Sequence, residues 1–344
     1  MHFSDNFFNP SGRGNPYYII APEYTRYSAG ARVLYSLCHA LNRLGESAYM
    51  HAPSLVSDLS APLLSQSVVD YHFKSGRTPI TVYPEGINGN PNDAEFCVRY
   101  LLNFPGALGG PLTFPPSDYI LSFTREIRDS YDKSSALLCI PTSDVNTFNR
   151  DGESNHRTGS CYYLKKRLAS GKPLKNPPQP DWVQIPWTNR TQANELSREE
   201  LASILKSSRR LYLYENCSLG LDAILCGCPV VLMIDDFETD VMTLEHMKTD
   251  GFAFGDSDDE ITRAELTVSK AYRNYCDWSQ AAGEQLELFI SDTQERVSGI
   301  PYKRKFRYEV RSSAKPRGRI ETLARLFRKR FPRLSDDIRS GFNA

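Results

Sequence analysis

Residues Leu211–Ile234 read LYLYENCSLGLDAILCGCPVVLMI, and this stretch decides the fold. Leu211–Tyr214 is a short run of β-forming residues. Asn216 or Ser218 caps a helix predicted over Leu219–Cys226, because a small polar side chain accepts from the unpaired amides of a first helical turn. Gly227 stops that helix, and Pro229 prevents it from resuming. Val230–Ile234 is then a continuous apolar run, the pattern of a parallel strand buried on both faces. A helix that starts at the carboxyl end of a parallel strand presents free N–H groups and the positive end of its dipole, which together favour a phosphate. The amides of Ser218, Leu219 and Gly220 are placed for that, with Glu215 and Asp222 flanking them.

The chain on either side repeats the pattern. Tyr17–Ala21 (YYIIA) is the first strand. Arg32–Leu44 is an amphipathic helix with Val33, Leu34, Leu37, Leu41 and Leu44 on one face. Gly45 stops it, and Ser47–His51 starts the next strand. Thr81–Tyr83 is a short strand, PEGINGNPND a turn-rich loop, and Ala94–Leu102 is predicted helical from its apolar Phe96, Val98, Leu101 and Leu102. Tyr119–Phe123 and Ala136–Ile140 are two more strands. Periodicity is lost from Pro141, and residues 142–158 read as a connection between domains. A second set follows: strands at Cys161–Leu164 and Val183–Ile185, and a helix over Ser197–Ser207 opened by a capping box from Ser197 to Glu200. Beyond the opening segment lie a strand at Gly251–Phe254 and helices over Ile261–Ala282 and Gln285–Ile290. This order implies an α/β protein with two Rossmann-like, doubly wound domains. The expected division is a flexible N-terminus 1–16, an N-terminal domain 17–145, a C-terminal domain 146–302 and a basic tail 303–344.

Composition agrees with two ordinary globular domains. The chain has 344 residues, 40% hydrophobic and 24% charged, with zero net charge. The charge is uneven: Lys303 to Arg339 holds 14 Lys/Arg against 4 Asp/Glu. Eight cysteines form no C-x-x-C pair, which argues for reduced, mostly buried thiols in a cytosolic protein. The N-terminus lacks the basic start and apolar stretch of a signal peptide. No run approaches the roughly 20 apolar residues that span a bilayer, so any membrane contact is expected to be peripheral, on the inner face of the cytoplasmic membrane.

The run ENCSLGLDAILCGCPVV, residues 215–231, resembles the donor-binding segment of GT-B glycosyltransferases, family 4-like enzymes of the bacterial surface-polysaccharide type in particular. Those enzymes carry an acidic residue, a small-residue turn, a second acidic residue followed by Ala, then G-x-P-V-V. Asp222-Ala223 and Gly227-Cys228-Pro229-Val230-Val231 match in order. The family spaces its two glutamates by seven residues; here six separate Glu215 from Asp222, and Tyr214 stands at the strict position. The resemblance implies two facing domains with a cleft between them, and transfer of a sugar from a nucleotide-sugar to a glycan or lipid-linked glycan, a hexosyltransferase-like activity. It implies that Asp222 accepts from the ribose hydroxyls, that Lys165 or Lys166 neutralises the diphosphate, and that Trp187, Thr188 and Asn189 lie in the base-binding loop. Ser28, Ala29 and Gly30, between the first strand and its helix, resemble the loop that faces the acceptor. The segment VYPEGINGNP…VRYLLNFPGALGG is similar to a stretch of the bacterial polysaccharide enzymes; within it Glu85 sits at a strand end, where α/β proteins place chemistry, and with Glu215 is a candidate catalytic residue.

Each assignment has a plainer alternative. Asp222 can serve as a first-turn acid that complements the helix dipole. Lys165, Lys166 and Arg167 can form a solvated loop, Trp187 can pack under one, Gly30 can answer to backbone geometry alone, and Glu85 can be a loop carboxylate or cap. Departure of a nucleoside diphosphate needs electrostatic stabilisation, which helix amides and Lys/Arg supply without a metal; no cofactor is expected. An inverting transfer also needs a general base. Among six histidines only His51 ends a strand, so His51 and Glu85 are the candidates, and a retaining enzyme needs neither. Asp256-Ser257-Asp258 matches the Asp-x-Asp of metal-dependent transferases, yet sits in the acidic turn GDSDDE. Ile320–Phe331 (IETLARLFRKRF) alternates apolar and cationic residues at helical spacing, which fits a helix on anionic lipid or one packed across the domains. No nucleic-acid module is present, and no G-x-G-x-x-G supports a dehydrogenase. A non-catalytic nucleotide- or sugar-binding module is the alternative function.

Overall fold

The computed structural model describes residues 14–25, 28–107, 109–154, 156–164, 174, 176–186, 196–215, 217–233 and 247–308. They divide into two compact units, one built from residues up to Ile140 and from Gln285 onward, the other from Pro141–Glu284.

The first unit runs β1 (Tyr17–Ile20), α1 (Ala29–Arg43), β2 (Ala48–His51), α2 (Gln66–Lys74), β3 (Ile80–Pro84), β4 (Phe96–Leu101), β5 (Tyr119–Ser122), α3 (Arg125–Tyr131) and β6 (Ala136–Leu137). Its six strands form one parallel sheet in the order β2-β1-β3-β4-β5-β6. The chain leaves β1 in one direction and returns to β3 on its other side, so the winding reverses between β1 and β3. Doubly wound sheets bind ligands at the carboxyl ends beside such a reversal.

Three expectations change here. Within the stretch 94–102, expected to be helical, Phe96–Leu101 form strand β4 instead, with all six of its residues buried. Arg99 interrupts the apolar run in sequence, but the fold neutralises it. Its Nε lies 2.7 Å from Asp118 Oδ2, its guanidinium donates to the carbonyls of Ile87 and Gly89, and it lies over the rings of Tyr83 and Phe114. Second, α1 begins at Ala29, because Ser28 adopts an extended backbone and its Oγ caps Ala31 N–H at 3.3 Å. Ala29 and Gly30 are therefore helical, not loop residues. Leu44, expected on the buried face, is the exposed C-cap residue. Third, α2 fills a stretch for which the sequence predicts nothing: Val68, Val69 and His72 bury against Tyr18 and Tyr49. The segment 300–308 straps over that cluster. Phe306 packs edge-on to Tyr18, Thr78 donates to Ile300 O, Arg304 pairs with Glu95, Lys305 with Asp70 and Arg307 with Asp93.

The second unit runs β7 (Ser160–Tyr163), β8 (Val183–Gln184), α4 (Arg198–Ser207), β9 (Arg210–Leu213), α5 (Leu219–Leu225), β10 (Val230–Leu232), β11 (Phe252–Phe254) and α6 (Asp258–Thr267). A 3-10 turn then leads into α7 (Ala271–Val297), whose last turns pack in the first unit. The sheet is again parallel, in the order β11-β10-β9-β7-β8. This is the same winding, with its reversal between β7 and β9. The capping box at Ser197 is present with both of its bonds, 3.1 Å and 2.7 Å. Gly227, at φ +73°, closes α5 with a Schellman turn: Cys228 N–H reaches Ala223 O and Gly227 N–H reaches Ile224 O.

The domain boundaries also move. Residues 142–158, expected to connect the domains, are packed on the second unit. Arg157 is the reason: its guanidinium donates to Leu205 O in the last turn of α4, to Ser208 O at its C-cap and to Cys226 O at the C-cap of α5, so one cation closes two helix C-termini. Residues 285–302, expected in the second domain, belong with the first. Gln294 bonds Asn15 and Glu46, and Tyr17 Oη meets Thr293 Oγ1 at 2.9 Å. Six of the eight cysteines are buried and all eight are free.

Candidate active site

Glu85 follows β3 directly, at the winding reversal of the first sheet. It is only 5% exposed. A turn from Pro84 to Ile87 carries it (Ile87 N–H to Pro84 O, 3.1 Å), and its Oε2 accepts from Leu102 N–H at 3.1 Å, at the end of the neighbouring strand β4. Burial raises its carboxyl above the usual glutamate value, and bonds from backbone amides return only part of the shift. The loop is held tightly. Gly86 and Gly110 touch backbone to backbone; a Cβ on Gly110, whose φ is +107°, would meet Gly86 Cα at 2.9 Å. Gly30 also faces this edge, with Leu102 Cδ1 3.5 Å from where its Cβ would be, so an alanine fits there. The glycine is not demanded by the backbone, and Ser28 acts as a cap.

His51, the other candidate base, ends β2. Its ring packs against Phe306 and Tyr308, its buried Nε2 makes no hydrogen bond, and burial lowers its pKa. It lies on the far side of β1 from Glu85 in the strand order.

In the second unit the corresponding place belongs to Glu215. The β7–β9 ladder continues to Tyr214, whose N–H bonds Tyr163 O at 3.2 Å, and Glu215 follows it, 8% exposed. Two buried glutamates thus occupy the same position in two separate sheets. Tyr214 faces elsewhere, its Oη donating to Asn176 O.

Helix α5 follows on the same edge, but its start differs from expectation. Ser218 has a helical backbone and makes no capping bond; Asn216 lies outside the described residues. Gly220 N–H turns back to Cys217 O at 3.4 Å, and Leu221 N–H to Ser218 O at 3.1 Å. Gly220 is buried and lies where a Cβ would come within 3.1 Å of both Leu213 and Phe252, so its lack of a side chain lets α5 sit close on β9 and β11. Leu219 and Ser218 are half-buried. Asp222 is 5% exposed and accepts from Ser143 Oγ at 2.6 Å. Ser143 is a residue that no spacing or motif singles out. Lys165, Lys166, Trp187, Thr188 and Asn189 lie outside the described residues.

Asp256 accepts from Asn176 Nδ2, and Asp258 opens α6, where its charge suits the helix dipole. Among the described residues no group of three His, Cys, Asp or Glu side chains is placed to hold a metal ion. No helix there is long and apolar enough to cross a membrane.

No protein-family model matches the chain, and no curated protein does. Solved structures similar to it include the glycosyltransferase SnogD from Streptomyces nogalater, at 12% identity and a TM-score of 0.44 over 81% of this chain and 99% of that one. WaaG, a glycosyltransferase involved in lipopolysaccharide biosynthesis, matches at 10% and 0.36, over 83% and 100%. The UDP-GlcNAc 2-epimerase from Methanocaldococcus jannaschii matches at 10% and 0.39, over 74% and 93%. The assignment of two Rossmann-like units rests on the strand orders themselves.

Proposed function

We propose that this protein is a glycosyltransferase that moves a sugar from a nucleotide-sugar to a glycan or lipid-linked glycan, in synthesis of a bacterial surface polysaccharide and without a metal. The observation that carries the reading is the pair of buried glutamates, Glu85 and Glu215, each at the winding reversal of its own parallel sheet. Sugar transfer needs chemistry at two such places, one for the acceptor and one for the donor. The sequence run 215–231 supports assigning the donor to the second unit.

In this reading Glu85, its affinity for a proton raised by burial, takes the proton of the acceptor hydroxyl as that oxygen attacks the anomeric carbon. The bond from the anomeric carbon to phosphate breaks, and the nucleoside diphosphate leaves with the electron pair. The anomeric configuration therefore inverts. Glu215 orients the donor sugar, Asp222 receives the ribose, and Lys165 or Lys166 balances the diphosphate charge. Ser218 and Leu219 offer backbone amides; Gly220 contributes through packing. The basic tail, on sequence grounds, holds the protein on the anionic inner face of the cytoplasmic membrane.

One observation favours binding without turnover. The amides of Gly220 and Leu221 bond back to Cys217 O and Ser218 O, which takes these two donors away from a diphosphate. Incubation with UDP-, GDP- and dTDP-sugars, with release of free nucleoside diphosphate as the readout, separates the two. Slow release that quickens with a lipid-linked acceptor is the expected result. Tight binding of one nucleotide with no release under any condition would leave only the binding module.

A further inference from the structure

The carboxylate assigned to the ribose is not held by its own helix alone. Asp222 stands in the first turn of α5, and Ser143, far away in sequence, donates its Oγ proton to Asp222 Oδ1 at 2.6 Å. Ser143 is in turn fixed from behind: Tyr275 Oη, on α7, donates to the Ser143 carbonyl at 2.7 Å. All three are buried, with Ser143 9%, Asp222 5% and Tyr275 6% exposed. A hydroxyl-to-carboxylate bond of this length is among the stronger hydrogen bonds of a protein, and its direction is fixed by the lone pair it occupies.

We infer that Ser143 is a positioning residue for nucleotide recognition: it orients the Asp222 carboxylate towards the sugar hydroxyls of a nucleoside diphosphate, and Tyr275 holds Ser143 in place. The inference rests on the donor-side reading of Asp222. Occupation of Oδ1 by Ser143 removes rotation about the last side-chain bond. A carboxylate so fixed meets a diol in one geometry without ordering it at the moment of binding, which is how preorganisation improves affinity. A serine that only filled space beside α5 would affect every ligand of the site alike.

The test uses the full chain, isothermal titration, and two probes: whichever of UDP, GDP or dTDP binds, and the same nucleotide lacking the sugar hydroxyls it carries, 2′ and 3′ for UDP or GDP and 3′ alone for dTDP. The wild-type protein is expected to prefer the hydroxylated probe by about tenfold or more, as suits a hydrogen bond to a charged group. Ser143→Ala should lower that preference several-fold and leave affinity for the deoxygenated probe unchanged, with Ser143→Thr restoring it. Asp222→Ala should abolish the preference. Where Ser143→Ala does not fold, Tyr275→Phe removes the supporting bond alone and should also lower the preference. Equal weakening of both probes, or none, in the Ser143 and Tyr275 variants overturns the inference while the Asp222 result leaves the donor reading standing. A preference that survives Asp222→Ala, or failure of all three nucleotides to bind, overturns the donor reading and the inference with it.

Discussion

Glu85 illustrates how a residue's cost to the fold reveals its use. Its burial favours the protonated carboxyl, so the stability it permits is greatest below the ordinary glutamate pKa and declines as pH rises through the raised value in the folded state. A glutamine keeps the acceptor for Leu102 N–H and carries no charge at any pH. Glu85→Gln should therefore melt at the same temperature as the wild type or higher at pH 7.5, and calorimetry checks this. For the same reason the acid limb of kcat/KM should lie above the usual carboxylate range, because the base must lose its proton to work. Donor affinity belongs to other residues: Asp222→Ala and Lys165→Ala/Lys166→Ala should each weaken nucleotide binding without unfolding the protein. Unchanged affinity in all of them would place the nucleotide elsewhere. At this scale the sequence was legible where one residue answers to its immediate neighbours. Ser197 and Glu200 cap each other, and Gly227 takes the left-handed turn that ends α5. It was silent on Ser143 and Arg157, whose partners lie many residues away and leave no local pattern.

Among elements, β4 and α2 show why periodicity misleads. The six residues FCVRYL are buried on both faces, so no alternation betrays a strand, and Arg99 imitates the polar position of a helix. Only the fold, by bringing Asp118 and two carbonyls to the guanidinium, makes that position habitable. In α2 the buried His72 has its Nδ1 on Tyr18 Oη at 2.8 Å, and burial first, then the charge of Arg77, lowers its pKa to about 4. The unfolded chain takes up this proton near the ordinary histidine value of 6.5, the folded chain only near 4. Stability contributed by neutral His72 is thus fully present above pH 6.5 and is lost as pH falls towards 4. The loss amounts to up to about 3 kcal/mol. Melting temperature should drop between pH 7 and pH 5, and the drop should shrink in His72→Gln; an unchanged slope would assign it to other groups. The strap over the same cluster depends on Phe306, 3% exposed. Phe306→Ala should cost about 3–5 kcal/mol in urea denaturation, whereas a surface strap would lose less than 1.

For the whole molecule, the succession of strands and helices was enough to read two parallel sheets, and both have the winding that puts a buried glutamate at the reversal. The return of the chain after Gln285 to the first unit was not readable, because its anchors, Thr293 to Tyr17 and Gln294 to Asn15, join segments far apart in the sequence. The excess of basic residues beyond 303 is plain in the sequence, and its proposed partner is an anionic bilayer. Flotation with phosphatidylglycerol liposomes should carry the full chain and leave behind a variant ending at residue 312; equal flotation of both would remove the membrane from the proposal.

Acceptor-dependent release of nucleoside diphosphate, compared between the wild-type protein and Glu85→Gln at equal nucleotide-sugar occupancy, tests the central assignment most directly. A general base at this position predicts a fall of about 100-fold or more, with donor affinity unaltered and the variant fully folded. Release at the wild-type rate would mean that the buried glutamate of the first unit takes no part in the chemistry.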